Sequence, residues 1–310
     1  MAVNRKVGSM NQRRLKEKIF FWSILALPVL QFCVFYIGVN FNSVLLSLQS
    51  IKMDASGNGY IYDWVYFKNF SDCIHLLFTE YSLVQSFKNS LIAYFAGLLV
   101  GTTLSLLFSY YIYKKSLFSG VFKVMLFLPS IISSAAMVII FKYFMEEAYP
   151  EFMYSAFGKE VGGLLSDPDS TFTTILVYSI WIGFGGGVLM YLGAMNSISD
   201  SVVEAAYLDG ITPLKEFFYI TLPMIYPTLV TFIVTGIAGI FTNQMNLYTF
   251  KGIKVSYRDY TYGYYLFLKT SQGMTEYPQA AAMGILFTII LAPFTFLIRW
   301  LLEKYGPSTE

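Results

Sequence analysis

Apolar residues in this chain come in long unbroken runs rather than in strict alternation. No Asp, Glu, Lys or Arg occurs in residues 19–51, 89–113, 124–141, 170–199, 217–250 or 277–298. Crossing the hydrocarbon core takes about 20 apolar residues, with a range of roughly 17–25. Each run therefore holds one helix, and none holds two with a loop. The pattern predicts an all-α membrane protein of six transmembrane helices, at about 20–45, 89–113, 121–145, 172–194, 223–247 and 279–301. The third run is the shortest, but flanking Lys123 and Lys142 can carry their ammonium groups out to the interface. A basic tail at 1–18 precedes a single membrane domain at 19–304, and no repeat, low-complexity tract or linker marks another.

Within the runs, Gly97 and Gly101, and Gly183 and Gly187, give small faces for close helix packing. Gly183-Phe-Gly-Gly-Gly187 is denser, and each glycine lowers helix propensity by about 1 kcal/mol. That is tolerable where the segment packs in protein or lines a cavity. Pro129, Pro223 and Pro227 suggest bends. Between the first two spans, residues 46–88 carry a turn cluster at 54–59, then Trp64, Tyr66, Phe67, Phe70 and Phe78. These aromatics suit a membrane interface, or a docking surface for an external partner.

Composition and charge narrow the picture. Hydrophobic residues make up 56% and charged residues 13%, against about 45–50% and 25% in soluble domains. A net charge of +2 gives no case for a nucleic-acid partner. Basic residues cluster at Arg5, Lys6, Arg13, Arg14, Lys16 and Lys18, and again at Lys114 and Lys115. Such clusters favour the cytoplasmic side, so both termini are expected inside. The acidic connection 146–169 suits the outside, whereas Lys251, Lys254, Arg258 and Lys269 would be external against the rule. The first apolar run continues too far for a cleaved signal. Cys33 and Cys73 are expected to stay unbridged, and His75 is the one histidine, so neither catalysis nor a metal site is suggested.

One polar-flecked stretch separates the fourth and fifth runs. Ser201-Val-Val-Glu204 fits a capping box, with Ser201 as N-cap. Ala205 and Ala206 continue the helix, and Asp209-Gly210 stops it. Thr212-Pro213 then starts another, leading to Leu222-Pro223. Local physics thus predicts a cytoplasmic helix–turn–helix over 199–222, between helices four and five.

Glu204-Ala-Ala, Asp209-Gly210, Phe217, Ile220 and Leu222-Pro223 at this spacing closely resemble the EAA loop of bacterial ABC importer permeases of the maltose-type sugar class. Ile211 departs from it, since the family often has Ala there. The segments 64–70, 86–90 and 277–284 are also similar, and the resemblance covers roughly residues 60–302. It implies that Glu204, Ala205, Ala206, Asp209 and Gly210 form a coupling helix seated on a separate ATPase, supported by Ser201, Thr212, Pro213, Leu222 and Pro223. It implies two ATPase subunits that bind ATP and Mg, a second homologous permease in a heterodimer, and an extracellular or periplasmic solute-binding protein. It places the chain in a bacterial cell membrane, importing a sugar or oligosaccharide.

No Gly-x4-Gly-Lys-Ser/Thr motif occurs, so the chain has no phosphate cradle of its own and no cofactor is expected. A membrane-embedded enzyme would want paired ionisable groups inside the spans, and the runs contain none. An ion-driven secondary transporter typically carries intramembrane Asp, Glu or His, and the charge-free runs offer no Asp or Glu. A permease for a non-sugar solute stays open. Sugar recognition favours aromatic faces with amides and hydroxyls, which makes Trp181 in span four and Asn243, Gln244, Asn246 and Tyr248 in span five the pathway candidates. Bonding between helices would explain the same residues.

Overall fold

The computed structural model describes residues 2–54 and 59–307, with side chains from Arg14 onward. The centre of the turn cluster expected at 54–59, and the side chains of Arg5, Lys6 and Arg13, lie outside the described residues. The chain falls into two compact units, 1–73 with 272–285, and 74–271 with 286–310, inside what the sequence suggests is one domain.

In the first unit, α1 (Arg14–Ser47) is a 34-residue apolar helix with a π-helical stretch over Phe32–Gly38. An unexpected hairpin follows, β1 (Gln49–Met53) against β2 (Tyr60–Trp64), antiparallel with Gln49 opposite Trp64. The second strand, Tyr-Ile-Tyr-Asp-Trp, has the aromatic and β-branched make-up that suits a pleated surface. At the start of α2 (Lys68–Thr79), the Asn69 amide donates to the carbonyls of Ser47 and Gln49 at 2.8 and 2.7 Å, fixing the hairpin's root. Cys33 is exposed and Cys73 buried, and no disulfide joins them.

The second unit holds the remaining helices. They are α3 (Tyr81–Tyr113), α4 (Ser119–Ile131), α5 (Ser134–Phe157) and α6 (Thr171–Met195). Then come α7 (Asp200–Leu208), α8 (Pro213–Met224), α9 (Tyr226–Gly239), α10 (Leu247–Lys251) and α11 (Tyr262–Ser271). The last, α12 (Met274–Tyr305), begins in the first unit and ends in the second. Among the described residues α1, α3, α6 and α12 are each long and apolar enough to cross a membrane, and two further candidates are bent pairs.

Those pairs are broken outright, where the sequence suggests continuous helices with bends at Pro129, Pro223 and Pro227. In place of a helix over 121–145, α4 and α5 meet at 103°, because Ile132 and Ser133 are extended. Pro129 lies inside α4, three residues before the break. In place of a helix over 223–247, α8 and α9 meet at 66° around Ile225, between Pro223 and Pro227, and α9 ends at Gly239. Residues 240–246 are turns, with Met245 and Asn246 both at positive φ. Gly263 of α11 lies so close to this segment that a Cβ there would meet the Thr242 carbonyl oxygen at 2.6 Å.

The glycine run of α6 remains helical throughout. A Cβ at Gly185 would meet the Leu126 carbonyl oxygen of α4 at 2.2 Å, and one at Gly187 would meet Ser105 Oγ of α3 at 2.7 Å. Serines lock the second contact: Ser105 Oγ donates to the Phe184 carbonyl at 3.0 Å and Ser109 Oγ to that of Val188 at 2.9 Å. Close packing explains two of the four glycines, as expected for small residues at membrane helix contacts.

At the N-terminal end of α3, the Asn89 amide donates to the Arg258 and Tyr260 carbonyls at 2.7 and 2.9 Å, and Ser90 Oγ accepts from the Tyr262 N–H at 2.9 Å. This pins the turn that carries Asp259, which is 2% exposed and whose Oδ2 has no hydrogen-bond partner. Burial raises its carboxyl above the usual range, outweighing the nearby Lys251 and Arg258 charges.

Two predictions follow from this packing. Gly185→Ala forces α4 off α6 and should cost about 1–3 kcal/mol, read as a lower thermal midpoint of the purified protein. Gly186→Ala, with nothing within 4 Å of the added Cβ, should leave the midpoint unchanged or raised. For Asp259 the folded value exceeds the unfolded one, so stability falls as pH rises from the ordinary carboxylate range through the folded value. Asp259→Asn should therefore raise the midpoint at pH 7 and raise it less at pH 4. Equal effects at both would contradict the burial account.

Candidate functional site

The stretch after α6 folds as a compact double turn. Ile198 is buried among Met195, Tyr191, Phe217 and Ile225, which anchors the chain before α7 begins. That anchoring sets the helix start. Ser199, extended at φ −64° and ψ 132°, occupies the N-cap position, and α7 begins at Asp200. The capping box expected from Ser201 is therefore absent: Ser201 is inside the helix, its hydroxyl 2.7 Å from that of Ser199. Asp200 supplies negative charge to the first turn instead.

The other end follows the sequence closely. Gly210 takes φ +70°, its N–H donating to Tyr207 O at 3.0 Å, and the Ile211 N–H donates to Ala206 O at 3.2 Å. This pair of bonds is a Schellman turn, in which glycine avoids the Cβ strain of the left-handed region. Thr212 is extended and Pro213 opens α8 at its first turn.

Of the five residues singled out for coupling, Glu204, Ala205, Asp209 and Gly210 are exposed. Ala206 is 6% exposed and shares a groove wall with Ala205, Asp209 and Gly210. The exposed side carries apolar groups as well, with Leu208 89% and Leu214 73% exposed. A groove of about 630 Å³ lies beside it, lined by Val202, Ala205, Asp209, Ile211, Lys215 and Ile220 among others. Of the supporting residues, Leu222 and Pro223 are half-buried near the bend at Ile225.

A group missed in the sequence holds this segment. Lys114, capping the C-terminal end of α3, places its Nζ 2.8 Å from both carboxylate oxygens of Glu216 and 2.6 Å from the Tyr207 hydroxyl. Glu216 is 1% exposed and the Lys114 side chain 17%. Burial pulls the ammonium down, but its bonds to Glu216 and Tyr207 prevail and it titrates above its ordinary value. Alongside, the Tyr110 hydroxyl donates to the Pro213 carbonyl at 2.8 Å, and its ring meets Phe217 edge-on at 5.0 Å. Nothing in the spacing of Lys114 and Glu216 points to the contact. Its one signal in the sequence is a lone carboxylate directly before the charge-free run that begins at Phe217.

Between α3, α6, α9 and the unwound 240–245 lies a cavity of about 530 Å³. None of the residues lining it is charged. Its polar groups include Ser90, Tyr94, Thr102, Ser179, Thr242 and Asn243, and Ser179 Oγ is buried without a hydrogen bond. Of the five pathway candidates only Asn243 lines it. Trp181 packs in a cluster with Phe141 and Tyr178. Asn246 accepts from Ser134 Oγ at 3.1 Å, and Tyr248 packs on Phe267 at 5.0 Å. Gln244 is half-buried and caps the turn into α10 through its carbonyl. The better signal is spacing: Ser90, Tyr94, Gly97, Gly101 and Ser105 recur three or four residues apart along one face of α3.

A family model described as "Binding-protein-dependent transport system inner membrane component" matches residues 82–310. A probable ABC transporter permease protein of Mycoplasma genitalium is 27% identical, covering 94% of this chain and 90% of the relative. The lactose transport system permease protein LacF of Rhizobium radiobacter is 25% identical over 89% of this chain and 91% of that one. A crystal structure of a bacterial ABC transporter involved in the import of the acidic polysaccharide alginate has the same fold, with TM-score 0.76 at 20% identity, covering 94% of this chain and 98% of that chain.

The Schellman turn makes one substitution diagnostic. Gly210→Ala should cost about 1–2 kcal/mol through the left-handed strain and loosen α7, read as faster hydrogen exchange across 200–212. Gly210→Asn, which tolerates that conformation better, should lose less.

Proposed function

Because the chain belongs to the binding-protein-dependent transport system inner membrane component family, we propose that it forms half of the translocation pathway of an ATP-driven importer for an uncharged sugar or oligosaccharide. The chain itself is a transport permease subunit and not an enzyme. In this reading α1, the two bent pairs, α3, α6 and α12 make six spans, with both termini and the 199–222 segment cytoplasmic. Glu204, Ala205, Asp209 and Gly210 form the face that meets one of two ATPase subunits, which bind ATP and Mg. Leu208 and Leu214, apolar and projecting from an otherwise polar segment, support a docking role. Ala206, largely buried, lines the groove beside that face.

The solute class is carried by one observation, a cavity wall without a charged residue in which the hydroxyls of Ser, Thr and Tyr and the Asn243 amide sit among glycine, aromatic and aliphatic surface. Uncharged polyhydroxyl solutes suit such a wall, whereas an acidic polysaccharide would call for cations. A second, homologous permease supplies the opposite wall, in a heterodimer, and a binding protein outside delivers the solute. The same uncharged wall disfavours an ion-driven carrier, which typically holds an ionisable residue in its path. A permease for a non-sugar solute is the reading that remains beside it.

The complex purified with its binding protein should hydrolyse ATP faster with neutral oligosaccharides than with oligo-uronates; stimulation by uronates or amino acids alone would overturn the solute assignment. Glu204→Lys should strip the ATPase subunits from the membrane fraction. Their undiminished retention, with normal transport, would sink the docking assignment.

A further inference from the structure

The polypeptide joins the 200–216 segment directly to α6 and to α9, but its strongest side-chain contact leads elsewhere. Lys114 ends α3, the helix that supplies the cavity wall from Ser90 to Ser105. Its ammonium grips Glu216 of α8 and Tyr207 of α7 at once. The Glu216 carboxylate is almost fully buried and both its oxygens rest on this one ammonium. Moving α7 and α8 without α3 would strand that charge, which is far more costly than carrying the helix along. Nine residues separate Ser105 from Lys114 in the same continuous helix, about 14 Å along the axis.

We propose that Lys114 is a positioning residue that ties α7 and α8 to α3, so that displacement of the 200–216 segment moves the α3 wall of the cavity as well as the helices to which the segment is covalently joined. This rests on the coupling role proposed for that segment. The Tyr110–Pro213 bond and the Tyr110–Phe217 ring contact run parallel to the tie and keep α3 in register with α8. A static staple would predict loss of assembly when the tie is cut. A transmitting tie predicts an assembled complex whose cavity no longer answers the ATPase.

The test uses the whole complex, permeases, ATPase subunits and binding protein, in nanodiscs. Leu98→Cys reports from the cavity wall of α3, in a background with Cys33 and Cys73 replaced by Ser, and the readout is its maleimide labelling rate with and without ATP and vanadate. In that background ATP and vanadate should change the rate. Lys114→Met should reduce the change about fivefold or more while the ATPase subunits still co-purify. The exchange Lys114→Glu with Glu216→Lys should restore most of it. Tyr207→Phe, which keeps the ion pair and the ring over the ammonium and removes only the hydroxyl bond to α7, should give a partial loss and decides the matter if Lys114→Met does not assemble. An undiminished response in Lys114→Met or, failing that variant, in Tyr207→Phe overturns the tie, as does a charge exchange that restores nothing. If the parent background itself gives no response, the coupling reading fails instead, and the inference with it.

Discussion

A helix that breaks inside a membrane domain frees backbone groups that no water in the hydrocarbon can satisfy, and this constraint governs where the chain bends. Each break has a local answer. Over 240–246 the N–H groups of Thr242 and Asn243 turn back to the Gly239 carbonyl, Asn243 Oδ1 takes the Met245 N–H, and the Leu247 N–H reaches Gln244 O. Gly263 lets α11 close over the Thr242 carbonyl. Asn243 and Asn246 are thereby engaged in holding an unwound segment, and only Asn243 also faces the cavity. The polar cluster in this run serves the break.

Charge obeys the same rule with higher stakes. Glu216 and Asp259 are two carboxylates buried to a similar degree in the same unit, and they are treated differently. Glu216 has a cation on both oxygens, and the attraction is strong enough to lift Lys114 despite burial. Asp259 has cations only at a distance and one oxygen without a partner, so burial prevails. A pair of the first kind adds little net stability over an apolar replacement, yet it is expensive to separate. It fixes geometry more than it adds stability.

The sequence was most legible where one residue's conformational needs decide the outcome. Gly210 at positive φ after Asp209, and Pro213 after an extended Thr212, sit where the pattern puts them, because few alternatives suit those residues. Charge-free runs located the apolar helices but not their continuity, since Ile132 and Ser133 look no less helical than their neighbours. The start of α7 was misread because burial of Ile198, a tertiary contact, shifts the N-cap to Ser199. Residue type alone, an aromatic face and an amide, singles out Trp181 and Gln244, while the lining of α3 is encoded in spacing, with Ser90 and Ser105 on one stripe with the glycines. Lys114 had a sufficient explanation in membrane topology, and its partner lies 102 residues away.

The glycines of α6 show how packing and motion divide between elements. Successive residues turn about 100° around a helix, so Gly183 and Gly187 share the face toward the cavity and Gly185 lies on the opposite one. Gly185 seats the α4 backbone, Gly187 seats Ser105 of α3, and Gly183 leaves space in the cavity wall. Four glycines in five residues would weaken an isolated helix, yet α6 runs unbroken because α3 and α4 bear on it closely. A helix clamped on two faces is bonded to α3 at this stretch through Ser105 and Ser109. The departures from continuous helix lie elsewhere, at Ile132–Ser133, the bend at Ile225 and the unwound 240–246. The glycine run thus packs, rather than bends, the helix that carries it.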